Sequence, residues 1–261
     1  MYKFQHIVIE NLSKHQFVDG DIHYTWKDVD FLYKHKKTNR KLVVFFHGAL
    51  NDTNISAYTF RGYDYEFPNT DILSLSNLLI KKYHKTKKIL LSWYLSTKDH
   101  NHLPLYTGIF DKILKKKYDK VLFTGTSGGG YPAIFFSSLY HSECLISNSQ
   151  IYLNKYNYFA KLLAHLKITE SDLDIDIEKH IMKRGPPKKI YLYTNQRDVN
   201  HYENHTLPFI VFLKKNSYDS NIEVNIFIGD EPKPNQTHHT VQFPNKQKHM
   251  DIIKKHITKI K

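Results

Sequence analysis

The chain is poor in cysteine and has no long hydrophobic run. Its single cysteine, Cys144, lies in an apolar stretch that predicts a buried strand. One cysteine excludes an intrachain disulfide, and a buried thiol is more typical of the core than of catalysis. A transmembrane helix needs about 18 consecutive apolar residues, and none occurs; the apolar run at the amino terminus is too short for a signal peptide. These absences predict a soluble, cytoplasmic protein.

The sequence also lacks the motifs of nucleotide, nucleic-acid and metal chemistry. Neither a Walker A motif nor G-x-G-x-x-G follows a predicted strand, and no ordered nucleic-acid-binding motif is present. His201-Tyr-Glu-Asn-His205 spaces two histidines like metal ligands, but its glutamate is not placed as in H-E-x-x-H and no third ligand is indicated. The acidic stretch 170–178 is typical of a solvated helix face or loop. We therefore predict no bound metal and no nucleic-acid partner.

Negative charge is scarce relative to positive charge. The chain has 38 Lys and Arg against 25 Asp and Glu, a formal net charge of +13, with lysines clustered at 34–41, 81–88, 112–120 and 246–261. Such a field favours an anionic partner, such as nucleic acid, the surface of a membrane, a polyanionic glycan or a phosphorylated cofactor. Coding bias would explain the wealth of Lys, Asn, Ile and Tyr equally well. The charge is compatible with peripheral membrane contact, but alone it identifies no partner.

Alternating strands and helices predict an α/β fold. At 261 residues the chain is long enough for one large domain, and we expect a single domain over 1–261 with a cap insertion at 154–185. Strands are predicted at 4–9, 22–26, 30–33, 42–46, 71–75, 88–94, 121–124, 144–147, 189–193 and 222–228. Helices are predicted at 105–118, 131–140, 158–166 and 207–215, and a short helical or irregular link at 78–83. We expect the first three strands to form an antiparallel edge on a mostly parallel central sheet flanked by helices.

The chemical signal is strongest at Gly125-Thr-Ser127-Gly-Gly129, which forms G-x-S-x-G between a predicted strand and a predicted helix. In that context the serine sits on a strained turn whose glycines avoid collisions, and its hydroxyl is exposed as a nucleophile. The backbone N–H of Gly128 would then bind the oxyanion of a tetrahedral intermediate. A helix-capping serine in a glycine-rich turn is the alternative, and the strand–turn–helix context favours the nucleophile.

A second oxyanion donor is predicted after the strand at 42–46. His47 and Gly48 close that strand, and the next backbone N–H, from Ala49, is placed to complete an oxyanion hole. We expect His47 and Gly48 to line the substrate site. A His-Gly pair is also an ordinary strand-end turn, so this prediction depends on Ser127.

The remaining catalytic candidates follow the last two predicted strands. Asp198 comes after the strand at 189–193, where a triad acid would orient the histidine, although a helix-capping or turn aspartate is the alternative. His238 and His239 lie in the segment after the last strand, which completes the order Ser, Asp, His. We favour His239 over His238 as the general base, and spacing does not decide between these adjacent residues.

Phe46-His47-Gly48, the Ser127 motif, Asp198 and His239 occur in the order that resembles the α/β-hydrolase superfamily, over residues 41–261. Three segments are also similar to the bacterial capsular-polysaccharide O-acetyltransferases of this fold and to the glycan-acetylating proteins of accessory secretion systems. They are Gly125-Thr-Ser-Gly-Gly-Gly130, Ile146-Ser-Asn-Ser-Gln150 with Leu153 and Tyr156 beyond, and Asp198-Val-Asn-His201. The resemblance implies an α/β-hydrolase fold, acetyl-CoA as donor, an acetyl-Ser127 intermediate, a sugar hydroxyl as acceptor, and Gln150 in the substrate site.

Three functions follow from these observations. The first is O-acetyl transfer to a bacterial capsular or surface polysaccharide, with acetyl-CoA as a substrate and no permanently bound cofactor. The second is hydrolysis by a carbohydrate O-acetylesterase or another carboxylester hydrolase, because the same acyl-enzyme serves water and sugar alike. The third is a basic binding module that keeps the fold without turnover, against which the complete Ser, Asp, His order argues.

Overall fold

A computed structural model describes residues 4–50, 60–228 and 246–258 of the chain. Its centre is a nine-stranded sheet with the order β1-β2-β3-β5-β4-β6-β7-β8-β9. The strands are β1 (Gln5–Val8), β2 (Gly20–Trp26), β3 (Val29–His35), β4 (Lys41–Phe46), β5 (Thr70–Leu75), β6 (Lys120–Thr126), β7 (Glu143–Ser147), β8 (Lys189–Asn195) and β9 (Ile222–Phe227). Across the part of the sheet that runs in the order β5-β4-β6-β7-β8-β9, all neighbouring strands are parallel, as the alternation of strands and helices predicts.

Helices connect the parallel strands. They are α1 (Leu78–Tyr83), α2 (Leu103–Leu114), α3 (Gly130–Leu139), α4 (Asn157–Leu166), α5 (Ile177–Arg184), α6 (Val199–His201), α7 (Leu207–Lys215) and α8 (Lys246–Thr258). A 3₁₀ turn, Ser127–Gly129, leads into α3, and a π-helical turn, Tyr202–Thr206, joins α6 to α7. Within these described ranges, every helix is too short or too polar to cross a lipid bilayer.

Both faces of the sheet are covered, which explains the continuous apolar run of β4. Leu42, Val44 and Phe46 belong to the larger core, whereas Val43 and Phe45 point to the opposite face. The larger core contains buried side chains of α2, α3, α4 and α5, and the smaller one contains Ile253 and Ile257 of α8. A strand buried on both sides needs no polar alternation, and parallel α/β sheets have such strands.

The amino-terminal edge differs from the prediction in one pairing. β2 and β3 are antiparallel, and their connecting residues Lys27 and Asp28 have φ of 47° and 69°. Positive φ at both central positions is the geometry that joins a tight hairpin. β1, however, pairs with β2 in parallel. Its long connection to β2 allows the chain to return along the same direction, so the expectation of an antiparallel first pair was wrong.

The stretch 88–94 is buried in part but is not a strand. β5 already lies between β3 and β4, so neither of its edges is open to another strand. Trp93 and Tyr94 have φ of 48° and 59°, which is incompatible with extended backbone. Instead, Leu90 accepts a hydrogen bond from the backbone of Leu50, and its own N–H donates to the hydroxyl of Tyr158. The apolar character of 88–94 predicted a strand, and that prediction was wrong because β5 has no free edge with which the stretch could pair.

The predicted insertion at 154–185 contains α4 and α5. Helix α4 buries Phe159 and Leu162, and α5 buries Ile177 and Ile181 in the larger core. One acidic residue of this segment is a helix cap: the Asp176 side chain accepts from the N–H groups of Glu178 and Lys179 at the start of α5. That use agrees with a solvated helix end. That this segment caps the active site remains a prediction.

Candidate active site

Ser127 lies at the carboxyl end of β6, on the sharp turn that enters α3. Its φ is 52°, a left-handed conformation that a side chain other than that of glycine or asparagine adopts only when the surroundings enforce it. The side chain is partly exposed, whereas Gly128 and Gly129 beside it are buried. The strand, sharp turn and helix around Ser127 are therefore the local geometry of the elbow that the motif predicts, and the role of Ser127 as nucleophile remains a prediction.

The glycines of the elbow are required by close backbone approach. A Cβ at Gly125 would lie 2.0 Å from the carbonyl oxygen of Gly129, and one at Gly129 would lie 2.5 Å from the carbonyl oxygen of Phe46. Both neighbours are backbone atoms that cannot rotate away. The turn can thus pack against β4 only because these positions carry no side chain.

The His47-Gly48-Ala49 segment packs directly against this elbow. A Cβ placed on Gly48 would lie 3.5 Å from the amide nitrogen of Gly128 and 3.6 Å from Cβ of Ser127. The Nδ1–H of His47 donates to the carbonyl oxygen of Gly48 at 2.8 Å. That bond ties the imidazole to the turn that carries the N–H of Ala49. The two predicted oxyanion donors, Gly128 and Ala49, thus belong to adjoining turns.

His47 itself is suited to a structural task. It is buried, and burial, helped by the nearby charge of Arg61, lowers its pKa to about 4 despite the hydrogen bond to Gly48. Its backbone N–H donates to the hydroxyl of Tyr94, which in turn donates to the carbonyl oxygen of Leu75. A neutral imidazole with Nδ1 as donor holds the loop in the same shape across the neutral pH range.

Gln150 contacts the serine itself. Its Nε2 donates to Oγ of Ser127 at 3.1 Å, and its Oε1 accepts from the indole N–H of Trp93 at 2.8 Å. Its backbone N–H donates to the carbonyl oxygen of Ser127 at 3.1 Å. The resemblance placed Gln150 in the substrate site, and the structure brings its side chain to Oγ of Ser127.

Asp198 lies after β8 and starts α6. Its Oδ1 accepts from Nδ1 of His201 at 2.9 Å and from the backbone N–H of the same residue at 3.4 Å, while Oδ2 accepts from Nδ2 of Asn148 at 2.9 Å. Burial alone would raise the pKa of the Asp198 carboxyl, but its hydrogen bonds from His201 and Asn148 hold that pKa below the usual value. Asp198 therefore caps the helix and is a charged, oriented carboxylate at the same edge of the sheet as Ser127.

Asn148 and His201 are site residues that the sequence did not assign. Asn148, at φ 40°, accepts from the backbone N–H of Asn195 at 2.8 Å, and it thereby links the end of β7 to the end of β8. His201 is 1% exposed, and the imidazole nitrogen that faces away from Asp198, Nε2, is buried with no hydrogen-bond partner among the residues that the structure describes. The polar run 147–150 directly after a buried strand was the available signal for Asn148. For His201 the signal was its place one helical turn beyond Asp198.

The predicted general bases, His239 and His238, lie outside the described residues. β9 is adjacent to β8, and it ends at Phe227, shortly before the segment that contains both histidines. Their assignment stays a prediction.

Backbone conformations with positive φ gather at this edge. Besides Ser127 and Asn148, Trp93 and Tyr94 have φ of 48° and 59°. For bulky aromatic residues this conformation costs free energy that the surrounding contacts must offset. Trp93 contacts Gln150, and Tyr94 contacts the backbone of His47, so the strain is located where side chains are aimed at the elbow.

A second group of polar side chains lies far from the elbow, on β1, β2 and β3. The ligand atoms of His6, His23 and Asp30 lie within 4.8 Å of one another. The ammonium of Lys81, however, is 2.6 Å from Oδ2 of Asp30, and the two imidazoles are stacked with centroids 4.4 Å apart. In stacked rings the in-plane nitrogen lone pairs point in nearly parallel directions and do not converge on one ion, and Lys81 already neutralises the Asp30 carboxylate. The group is therefore poorly suited to bind a metal. These contacts form a hydrogen-bonded network that attaches β1 to the sheet.

No protein-family model matches the chain, and its sequence matches no curated protein. Solved structures do match. The capsule O-acetyltransferase of Neisseria meningitidis serogroup A is similar with a TM-score of 0.63 and 16% identity, over 94% of this chain and 98% of that chain. An esterase of Pyrococcus furiosus gives a TM-score of 0.55 and 16% identity over 98% of this chain and 99% of that one.

A third similar structure is the fluorophosphonate-binding serine hydrolase F of Staphylococcus aureus. It gives a TM-score of 0.52 and 14% identity, over 88% of this chain and 90% of that chain. At such identities the likeness establishes the architecture. The chain has the α/β-hydrolase fold, and its structure resembles both a capsule O-acetyltransferase and esterases.

Proposed function

We propose that the protein is a serine acyltransferase that moves an acetyl group from acetyl-CoA to a hydroxyl of a bacterial capsular or surface polysaccharide. The observation that carries this proposal is the elbow itself. Ser127 is partly exposed at φ 52°, with the His47-Gly48-Ala49 turn packed against it and an oriented carboxylate, Asp198, at the same edge of the sheet. Similarity to a capsule O-acetyltransferase over nearly the whole chain supports the choice of substrate.

In the proposed first half-reaction, His239 takes the proton of Ser127 as Oγ attacks the thioester carbonyl. The N–H groups of Gly128 and Ala49 stabilise the negative charge on the carbonyl oxygen. The carbon–sulfur bond then breaks, and the CoA thiolate receives the proton from His239. Asp198 keeps the imidazole in the required tautomer and stabilises its charged form.

The second half-reaction reverses these roles with a different nucleophile. His239 removes the proton of a sugar hydroxyl, whose oxygen attacks the acetyl ester on Ser127. The ester bond to Oγ breaks, and Oγ recovers the proton from His239. The lysine-rich surface would favour both an anionic glycan and the phosphates of CoA.

Hydrolysis is the second candidate, since the similar structures include esterases. Water would replace the sugar in the second half-reaction, and the outcome depends on how well the occupied site excludes it. The residue roles would be unchanged.

Covalent labelling with a fluorophosphonate tests the shared part of both candidates, because only an activated serine reacts. The wild-type protein is expected to label, Ser127→Ala to remain unlabelled, and Ser220→Ala, at an exposed position, to label like wild type. Labelling that survives Ser127→Ala would disprove the nucleophile assignment.

Release of CoA from acetyl-CoA then separates the two candidates. Transfer predicts CoA release that rises with added capsular polysaccharide and yields acetylated polymer. Hydrolysis predicts free acetate at a rate that the polymer does not change.

A further inference from the structure

The orientation of the Gln150 amide is determined by its neighbours. The indole N–H of Trp93 can only donate a hydrogen bond, so the atom of Gln150 that lies 2.8 Å from it must be the carbonyl oxygen. The NH₂ group consequently faces Ser127, with Nε2 at 3.1 Å from Oγ. Tyr156 also shares a hydrogen bond with the Gln150 side chain.

Gln150 has little freedom to leave this position. Its side chain is 1% exposed, Trp93 is equally buried, and its backbone N–H is bonded to the carbonyl oxygen of Ser127. A Cβ placed on Gly128 would lie 3.3 Å from both Oε1 of Gln150 and Nε1 of Trp93, so the pair packs against the elbow itself. Such a fully bonded, buried amide is held in place before any substrate arrives.

We propose that Gln150 is a catalytic residue that donates a hydrogen bond to Oγ of Ser127, and that Trp93 is the positioning residue that holds its amide in the donating orientation. The proposal rests on the proposed function of Ser127 as the nucleophile. Because Oγ already accepts from Gln150, its own proton is directed to another acceptor, which is the base.

The same contact assists the breaking of the acyl-enzyme. When the bond between the acetyl carbon and Oγ breaks, Oγ carries negative charge until the base returns its proton. A preorganised N–H donor at Oγ stabilises that charge without transferring a proton itself. The donor serves both half-reactions, because Oγ is the attacking atom in the first and the leaving atom in the second.

Two substitutions at position 150 separate the donor from the packing. Gln150→Met keeps the approximate volume and removes the donor. Gln150→Glu keeps the shape and the acceptor for Trp93 but presents a second acceptor to Oγ. Loss of one preorganised donor to a developing oxyanion typically costs on the order of 10²-fold in rate. Fluorophosphonate labelling reports only the attack by Oγ, whereas Oγ carries the developing charge when the acetyl-enzyme is cleaved. We therefore expect cleavage of the acetyl-enzyme formed from p-nitrophenyl acetate to slow by about that factor in Gln150→Met and by more in Gln150→Glu at neutral pH.

The pH dependence of Gln150→Glu distinguishes a donor from a structural residue. A protonated carboxyl group can donate to Oγ as the amide does, so the ratio of wild-type to variant rates should narrow as the pH falls. Burial raises the pKa of a carboxyl group, which brings this change toward the working range. Tyr156 contacts position 150, and burial raises the pKa of its hydroxyl, so it stays neutral throughout. Behind Tyr156 lie Asp198, whose charge acts on Tyr156, and His201, whose ring centroid is 6.1 Å from that of Tyr156; both are the same in wild type and variant.

Trp93→Phe tests the orientation. Without the indole donor the amide can flip, and we expect cleavage of the acetyl-enzyme to slow about tenfold in the wild-type background but not further in Gln150→Met. Gln16→Glu adds the same charge at an exposed position and should cleave its acetyl-enzyme like wild type. Thermal melting of each variant reports folding, and Trp93→Phe keeps the test open if a position-150 variant does not fold.

The outcomes are distinct. Wild-type labelling together with an unchanged rate of acetyl-enzyme cleavage in folded Gln150→Met overturns the role of Gln150 and leaves the proposed function intact. A wild-type protein that does not label overturns the proposed function. A pH-independent ratio for Gln150→Glu, or additive losses for Trp93→Phe and Gln150→Met, also contradicts the donor role.

Discussion

Asp71, near the start of β5, carries the clearest prediction for stability. Its side chain is fully buried, yet it is surrounded by donors. Oδ2 accepts from the hydroxyls of Tyr118 (2.6 Å) and Tyr33 (3.1 Å), from Nδ1 of His35 (2.8 Å) and from the ammonium of Lys116 (2.9 Å), and Oδ1 accepts from the backbone N–H of Lys36 (3.0 Å) and Nδ2 of Asn39 (2.8 Å). The carboxylate thus joins β3, β5 and the loop that follows α2.

Asp71→Asn is expected to destabilise the fold by about 3 kcal/mol. Removing one partner of a buried ion pair costs about 3 to 5 kcal/mol, and the Lys116 side chain is 25% exposed, so the lower end applies. In a chain of this size the melting temperature should fall by about 6 to 12 °C. Asp119→Asn is the matched control, because its pair with Arg40 is 56% and 60% exposed, and its melting temperature should not change.

The effect of Asp71→Asn should depend on pH. Burial by itself raises the pKa of the Asp71 carboxyl, but hydrogen bonds from His35, Tyr118 and Lys116 outweigh it and lower the pKa well below the usual value. A lowered folded-state pKa means that the stabilisation is present above the unfolded pKa of about 4 and is lost as the pH falls below it. The difference between wild type and variant should therefore be largest near neutrality and shrink in acid.

Fluorophosphonate labelling at a temperature where both proteins are folded should be unchanged by Asp71→Asn. Asp71 pairs in register with Leu42 near the amino end of β4, whereas Ser127 follows the carboxyl end of β6. Equal melting temperatures for wild type and Asp71→Asn, or a difference that grows in acid, would refute the assignment of a charged, stabilising carboxylate.

Three further predictions concern the site and the surface. His239→Ala should lower labelling by about 10⁴-fold, whereas Asp198→Asn should leave measurable activity, because it misorients the base without removing it. An inactive His238→Ala together with an active His239→Ala would show that His238, and not His239, is the base. Gly125→Ala should prevent folding or lower the melting temperature by more than about 10 °C, because its Cβ would lie 2.0 Å from a backbone oxygen and overpack the turn. Gly108→Ala is the control: its Cβ would meet only the far end of the Trp26 side chain, at 3.1 Å, so this variant should fold. Raising the salt concentration should increase KM for an anionic polysaccharide or acetyl-CoA but not for a neutral ester, because exposed charges are screened beyond about 8 to 10 Å at physiological ionic strength. If KM for the anionic substrate is as insensitive to salt as KM for the neutral ester, the lysines are ordinary surface residues.

Much of the fold was predictable from the sequence because its signals are local. The apolar runs that became β4, β6, β7 and β8 are buried on both faces, so their hydrophobicity is continuous and needs no knowledge of the partner strands. The elbow around Ser127 was predictable for the same reason. Its glycines are demanded by contacts within a short stretch of chain and with the adjoining strand.

The pairings that depend on distant partners were not predictable. The direction of β1 depends on a long connection, and the irregular backbone at 88–94 results from the absence of an open edge on β5. The bond from Trp93 to Gln150 joins residues 57 positions apart, and because an indole N–H can only donate, it fixes which end of the amide faces Ser127. Sequence by itself determined the order of the elements and the nucleophile's turn, because periodicity and glycine sterics act locally. Only the tertiary structure decided what surrounds the hydroxyl, because hydrogen-bond partners brought together by strand order leave no pattern along the chain.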